Sequence, residues 1–116
     1  SVTPTVKHYL IGFGLDGFPI YAKSGYTTAM DATSPVIEMV SGYKLKTTIP
    51  SGRPDTSVIK YGTFTQDWEY DATAGGHLDE CNGRFGKTPE FPNGIYHYYI
   101  TNTFPYAQRC FKGTYP

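Results

Sequence analysis

The sequence predicts an all-β domain, sandwich-like, built of short antiparallel strands joined by long loops, and three observations predict it. Eleven Tyr and seven Phe stand beside four Leu, a composition suited to pleated surfaces rather than to a helical bundle. Thirteen Gly and nine Pro punctuate the chain with turns. Apolar and polar residues alternate with a period of two in the clearest segments, Tyr43 to Ile49 and Gly94 to Thr101. At 116 residues the chain can bury one modest core. Residues 1–6 read as an extended N-terminal arm and residues 7–116 as a single β-rich domain.

Taken in order, Ser1 to Val6 (SVTPTV) has no core-forming pattern. Lys7 to Phe13 opens a strand, Asp16-Gly17 is a turn signal, and Phe18 to Ala22 returns as the second strand of a hairpin. Pro19 lacks an N–H, which puts its strand at an edge or makes it irregular there. Lys23 to Pro35 is small and polar and reads as a surface loop. Ser34-Pro35 either starts a short helix through Val40 or, by its β-branched residues, a strand. Tyr43, Leu45, Thr47 and Ile49 share one face of the next strand, opposite Lys44, Lys46 and Thr48. After the loop Pro50 to Asp55, Ser57 to Asp71 forms one long strand or two interrupted at Gly62. It places Phe64, Gln66, Trp68 and Tyr70 on one face and Thr65, Asp67, Glu69 and Asp71 on the other. A loop over Ala72 to Gly76, a turn at Asn82-Gly83 and a Pro-rich excursion from Lys87 to Asn93 lead to the strong strand Gly94 to Thr101. A last strand is expected around Gln108 to Lys112.

Ten basic and ten acidic residues cancel and no basic cluster occurs, which argues against nucleic-acid binding. No apolar run approaches the roughly 20 residues of a membrane helix, so no membrane insertion is expected. Ser1 does not open a signal peptide, and the chain is expected to be soluble and already processed. A bridge between Cys81 and Cys110, the two cysteines, would close a loop of about 30 residues and contribute roughly 3–4 kcal/mol. The alternative is two separate buried thiols.

Several stretches are shared with a known group. LDECNGRFG (Leu78 to Gly86), TPEFPNGIYHYY (Thr88 to Tyr99), FPYAQRCFKG (Phe104 to Gly113), IGFGLDGFPIYA (Ile11 to Ala22) and FTQDWEY (Phe64 to Tyr70) together resemble the YHYH family of secreted proteins. The resemblance implies a disulfide-stabilised domain with Cys81 joined to Cys110, an oxidising compartment, and an extracellular or cell-surface location. It also implies a further β-rich portion ahead of the segment that matches Lys7 to Phe13.

Three constellations could carry chemistry. The family motif holds two histidines two residues apart, which on a strand point from one face and would begin a Cu or Zn site. Here it reads Tyr96-His97-Tyr98-Tyr99, and tyrosine replaces the second imidazole. His97 is then either a hydrogen-bonded structural residue or a ligand completed by His8 or His77. Asp67, Glu69 and Asp71 form an acidic row followed by Asp79-Glu80. Ca²⁺ could neutralise it, with Asp79, Glu80 and Asn82 as ligands, or lysine and arginine could do so, with Lys44, Lys46 and Arg84 the nearest choices. The aromatic surplus suits the core first, then glycan stacking or a protein interface. No G-x-S-x-G, H-E-x-x-H or phosphate-loop motif occurs.

The function expected is therefore a non-enzymatic extracellular structural or binding domain, part of a self-assembling or multi-chain structure. Tyr9 to Phe13 and Ile95 to Thr101 are the uncharged candidate edges, and the Ser1 to Val6 arm could join a neighbour's sheet, growing rings or filaments. A metal-dependent activity centred on His97, with Cu, Zn or Ca, and a carbohydrate-binding module are the alternatives.

Overall fold

A computed structural model of the chain describes residues 8–114. Eight short strands occur among them: β1 (Leu10–Phe13), β2 (Pro19–Ala22), β3 (Ser24–Tyr26), β4 (Val36–Glu38), β5 (Tyr43–Leu45), β6 (Trp68–Tyr70), β7 (Gly83–Gly86) and β8 (Ile95–Ile100), with a single 3₁₀ turn at Thr65–Asp67. The all-β class and the short antiparallel strands are as expected. The arm over residues 1–6 lies outside the described residues.

The main sheet runs β1-β2-β8-β7. The expected hairpin forms β1 and β2, with Leu10 opposite Tyr21 and Phe13 opposite Pro19, and a bulge between Leu10 and Gly12. At the turn, Gly17 donates to the Gly14 carbonyl and Gly14 to that of Phe18, with Gly17 in the left-handed region at φ 84°. The Asp16 carboxylate accepts from the Phe18 N–H inside the turn and from the Gly113 N–H and the Tyr98 hydroxyl outside it. β8 then pairs in parallel with β2, Ile20 opposite Tyr98, and antiparallel with β7, Arg84 opposite His97.

β8 is consequently a central strand, which removes Ile95 to Thr101 from the candidate edges. Pro19 is not on an edge strand either. It begins β2, ahead of the first β2–β8 pair at Ile20, so its missing N–H costs the sheet nothing.

The remaining strands form two ribbons, β3–β4 and β5–β6. The stretch expected to be a loop from Lys23 to Pro35 begins with β3, whose Ser24 and Gly25 are buried. Gly25 is there because the Tyr99 hydroxyl lies against it. A Cβ at that position would stand 2.1 Å from Tyr99 Oη. Of the two readings at Ser34-Pro35, the strand is the one formed.

The one long strand, or two interrupted at Gly62, expected from Ser57 to Asp71 is reduced to Trp68–Tyr70, because Asp67 turns inward and the backbone from Thr65 to Asp67 winds into the 3₁₀ turn. Similarly β5 stops at Leu45, and the in-register bond from the Lys46 N–H to the Asp67 carbonyl is the last of its pairing with β6, because Asp67 already belongs to the 3₁₀ turn. No strand forms at Gln108 to Lys112. Cys110 is bonded to Cys81, the Arg109 N–H donates to the Cys81 carbonyl and the Lys112 N–H to the Tyr98 hydroxyl, so this segment is committed to the β7–β8 side of the molecule. The core is small and aromatic: Tyr21, Met39, Leu78 and Tyr99 form one buried cluster with Ile37 against it.

Candidate functional site

The segment Tyr96-His97-Tyr98-Tyr99 lies on β8, and strand alternation sends its side chains to two faces. On one face the Tyr96 hydroxyl donates to Asp79 Oδ2 at 2.6 Å and the Tyr98 hydroxyl donates to Asp16. Phe18 packs edge-on against both rings. Burial pushes the Tyr98 phenol up to about 12 and that of Tyr96 higher still, each reinforced by its carboxylate acceptor.

On the other face His97 is fully buried. Its Nδ1 lies 2.7 Å from the Ile95 carbonyl and its Nε2 2.8 Å from the Tyr99 hydroxyl. A carbonyl only accepts, so Nδ1 carries the proton and Nε2 accepts from Tyr99. Tyr21 meets the imidazole edge-on at 5.3 Å and, across the cluster, donates to the Glu90 carboxylate and accepts from the Thr88 hydroxyl. The Arg84 guanidinium stands 5.7 Å over the Tyr99 ring and donates to the Tyr26 carbonyl. Burial lowers the His97 pKa to about 4, with the Arg84 charge adding to the effect.

The structure does not bring the sequence-predicted ligands together. Asp79 serves Tyr96 on the opposite face from His97 and also accepts from the Cys81 and Gly83 N–H groups. Glu80 pairs with Lys112. Asn82, fully buried in the left-handed region at φ 67°, donates through Nδ2 to the Tyr99 carbonyl and to Thr101. His77 Nδ1 accepts from the Val40 N–H, and His8 packs on Tyr21 and Tyr26. Among the described residues, no group of three or more His, Cys, Asp and Glu side chains is placed to hold a metal ion. The predicted cystine, Cys81–Cys110, is present.

The acidic row is paired with cations. Lys44 sits 3.0 Å from Asp71 and 3.9 Å from Glu69. Asp71 is held down to about 2, first by the Thr73 hydroxyl and next by Lys44. Asp67 does not share their face. It is buried against Arg53, which sequence reasoning missed, with Arg53 Nε 2.9 Å from Asp67 Oδ1. Neither atom has hydrogen-bond geometry, so that contact is ionic. Asp67 Oδ2 accepts from the Gly62 and Phe64 N–H groups, and the guanidinium lies 5.5 Å over Tyr61 and 5.0 Å over Phe64.

Two surface features remain. β1 pairs with β2 alone among the described strands, and around it Tyr9, Leu10, Ile11, Phe13 and Leu15 are exposed, Ile11 by 55% and Phe13 by 58%. Beside β6, a cavity of about 330 Å³ is lined by Leu45, Lys60, Tyr61, Gly62, Thr63, Trp68 and Tyr106. Only Gly62 gave a sequence signal there, as the interruption in a run of strand residues.

A family model described as YHYH protein matches residues 2–113, nearly the whole chain. No curated protein and no solved structure matches it.

Proposed function

Since the chain belongs to the YHYH family, whose signature here is spent on internal bonds, we propose that it is a non-enzymatic extracellular structural domain that pairs with a second copy of itself along β1. The observation that carries this reading is the β1 edge, a row of main-chain N–H and C=O groups flanked by exposed apolar side chains and free of charge from Tyr9 to Leu15. Natural edges are commonly guarded by lysine, proline or a covering loop. Here the bulge between Leu10 and Gly12 is the device of that kind on this strand.

A sheet edge complements itself when two copies meet antiparallel about a two-fold axis, an arrangement that closes at a dimer. The formal net charge of zero removes long-range repulsion between copies. The cystine accords with an oxidising, extracellular setting.

Sedimentation of the native chain and of Ile11→Lys at micromolar concentration tests the proposal. The native chain should run at twice its 12.9 kDa and the variant, which puts a charge on an exposed edge position, as a monomer. A native chain monomeric throughout that range, or a variant that dimerises equally well, would overturn it.

A further inference from the structure

We propose that the cavity beside Trp68 binds a pyranose ring of a polysaccharide. The cavity is at the lower end of the roughly 300–1,000 Å³ of ligand pockets, and three of its lining side chains, Tyr61, Trp68 and Tyr106, are aromatic. Sugar rings present apolar C–H faces and polar hydroxyl rims, and flat amphipathic side chains in a concave setting suit both.

The walls are fixed in advance. Trp68 stacks on Phe104 with ring planes 5° apart and centroids at 4.9 Å, and its Nε1–H donates to the Gly62 carbonyl at 2.9 Å. The Tyr61 hydroxyl donates to the Lys46 carbonyl. The Lys60 to Phe64 loop has no ladder to hold it. The buried Arg53–Asp67 pair does so instead, from beneath, through the Gly62 and Phe64 N–H groups and the Tyr61 and Phe64 rings. Gly62, at φ 99°, keeps the floor open, since a Cβ there would point at Leu45 and Trp68 at 3.4 Å. Rigid walls reduce the ordering cost that a ligand must overcome.

Tyr106 supplies the second observation. It is a bulky residue held in the left-handed region at φ 68°, where only glycine is free of strain, and its side chain is 55% exposed. The Thr101 N–H, donating to its carbonyl, and its own N–H, donating to the Thr103 carbonyl, hold the backbone in that turn, and the ring, edge-on to Phe104 at 6.2 Å, is left at the cavity with an exposed face for a ligand to meet. The charge on the lining favours a neutral or acidic sugar over a basic one, because Lys60 is its one charged residue.

Trp68 is the single tryptophan of the chain, and its emission reports on this cavity. The native protein is titrated with cellohexaose, chitohexaose, mannohexaose and an alginate oligomer, with a proline decamer as the competing peptide class. Saturable change in emission with at least one glycan is expected, weakened at least tenfold in Tyr106→Ala and in Tyr106→Gly. The glycine variant should melt at or above the native temperature, which separates lost binding from lost folding. No saturable response to any glycan, a response to the proline decamer alone, or equal glycan affinity in the Tyr106 variants would overturn the proposal.

Discussion

His97 shows how one buried side chain ties stability to pH. Held at a pKa of about 4 by burial, against 6.5 in an unfolded chain, it is neutral in the folded protein where the unfolded chain is already charged. The unfolded state therefore binds more protons between those values, and stability falls as pH drops from 6.5 to 4 and levels off below. The loss from this residue alone is about 3 kcal/mol. Burial lowers the pKa of His8 and His77 as well, adding slopes of the same sign, so the contribution of His97 is the difference between native protein and His97→Gln. Urea unfolding at pH 7 and pH 4 should show the variant losing less stability than the native chain, though starting lower because Tyr99 and Ile95 lose their partner. Equal losses would show that His97 is solvated. The sequence revealed that His97 sat among aromatics with tyrosine in place of a second imidazole, but not that this tyrosine is the group it bonds. That pairing depends on Gly25 of β3 clearing space for the Tyr99 hydroxyl.

At the scale of elements, what could be read depended on length. The β1–β2 hairpin announced itself by Asp16-Gly17, and the six residues of β8 were long enough to display their alternation. Three-residue strands such as β3 and β4 cannot show a period of two, and they were fixed by pairing with each other, Ser24 opposite Glu38 and Tyr26 opposite Val36, and by the space Gly25 leaves for Tyr99. The run from Phe64 to Tyr70 misled for a specific reason: its alternation is real, but Arg53 draws Asp67 into the interior and breaks the strand. Arg53→Met should accordingly cost about 3–5 kcal/mol, as expected when one member of a buried pair is left alone. Arg53→Met with Asp67→Asn should recover part of it. Urea melts of the two single variants and the double variant give the coupling, and a single-variant loss under about 1 kcal/mol would mean that water reaches the pair. The sequence offered Gly62 as an interruption and Trp68 as one of an aromatic row but not the cavity they share, since its lining comes from β5, the Lys60 to Thr63 loop, β6 and Tyr106, which are neighbours only after folding.

The whole molecule is flat, 47 × 46 × 24 Å, with a radius of gyration of 16.0 Å against roughly 13 Å for a compact domain of this size. A flat body has little interior, which is why so few side chains are fully buried and why hydroxyl–carboxylate bonds and a cystine share the task of holding it together. The Cys81–Cys110 bond spans 29 residues and should be worth roughly 3–4 kcal/mol. Thermal melts with and without reductant, or of a Cys81→Ala/Cys110→Ala chain, should show a large drop in Tm, and an unchanged Tm would mean that the polar bonds suffice. The parallel pairing of β2 with β8 has a consequence for how the protein is made. Asp16 finds Tyr98 82 residues later and Gly113 97 residues later, so the opening hairpin leaves the ribosome long before its neighbour in the sheet has been translated. Until β8 has been made, the inner edge of β2 has no strand beside it, and the centre of the sheet closes only when β8 arrives between β2 and β7.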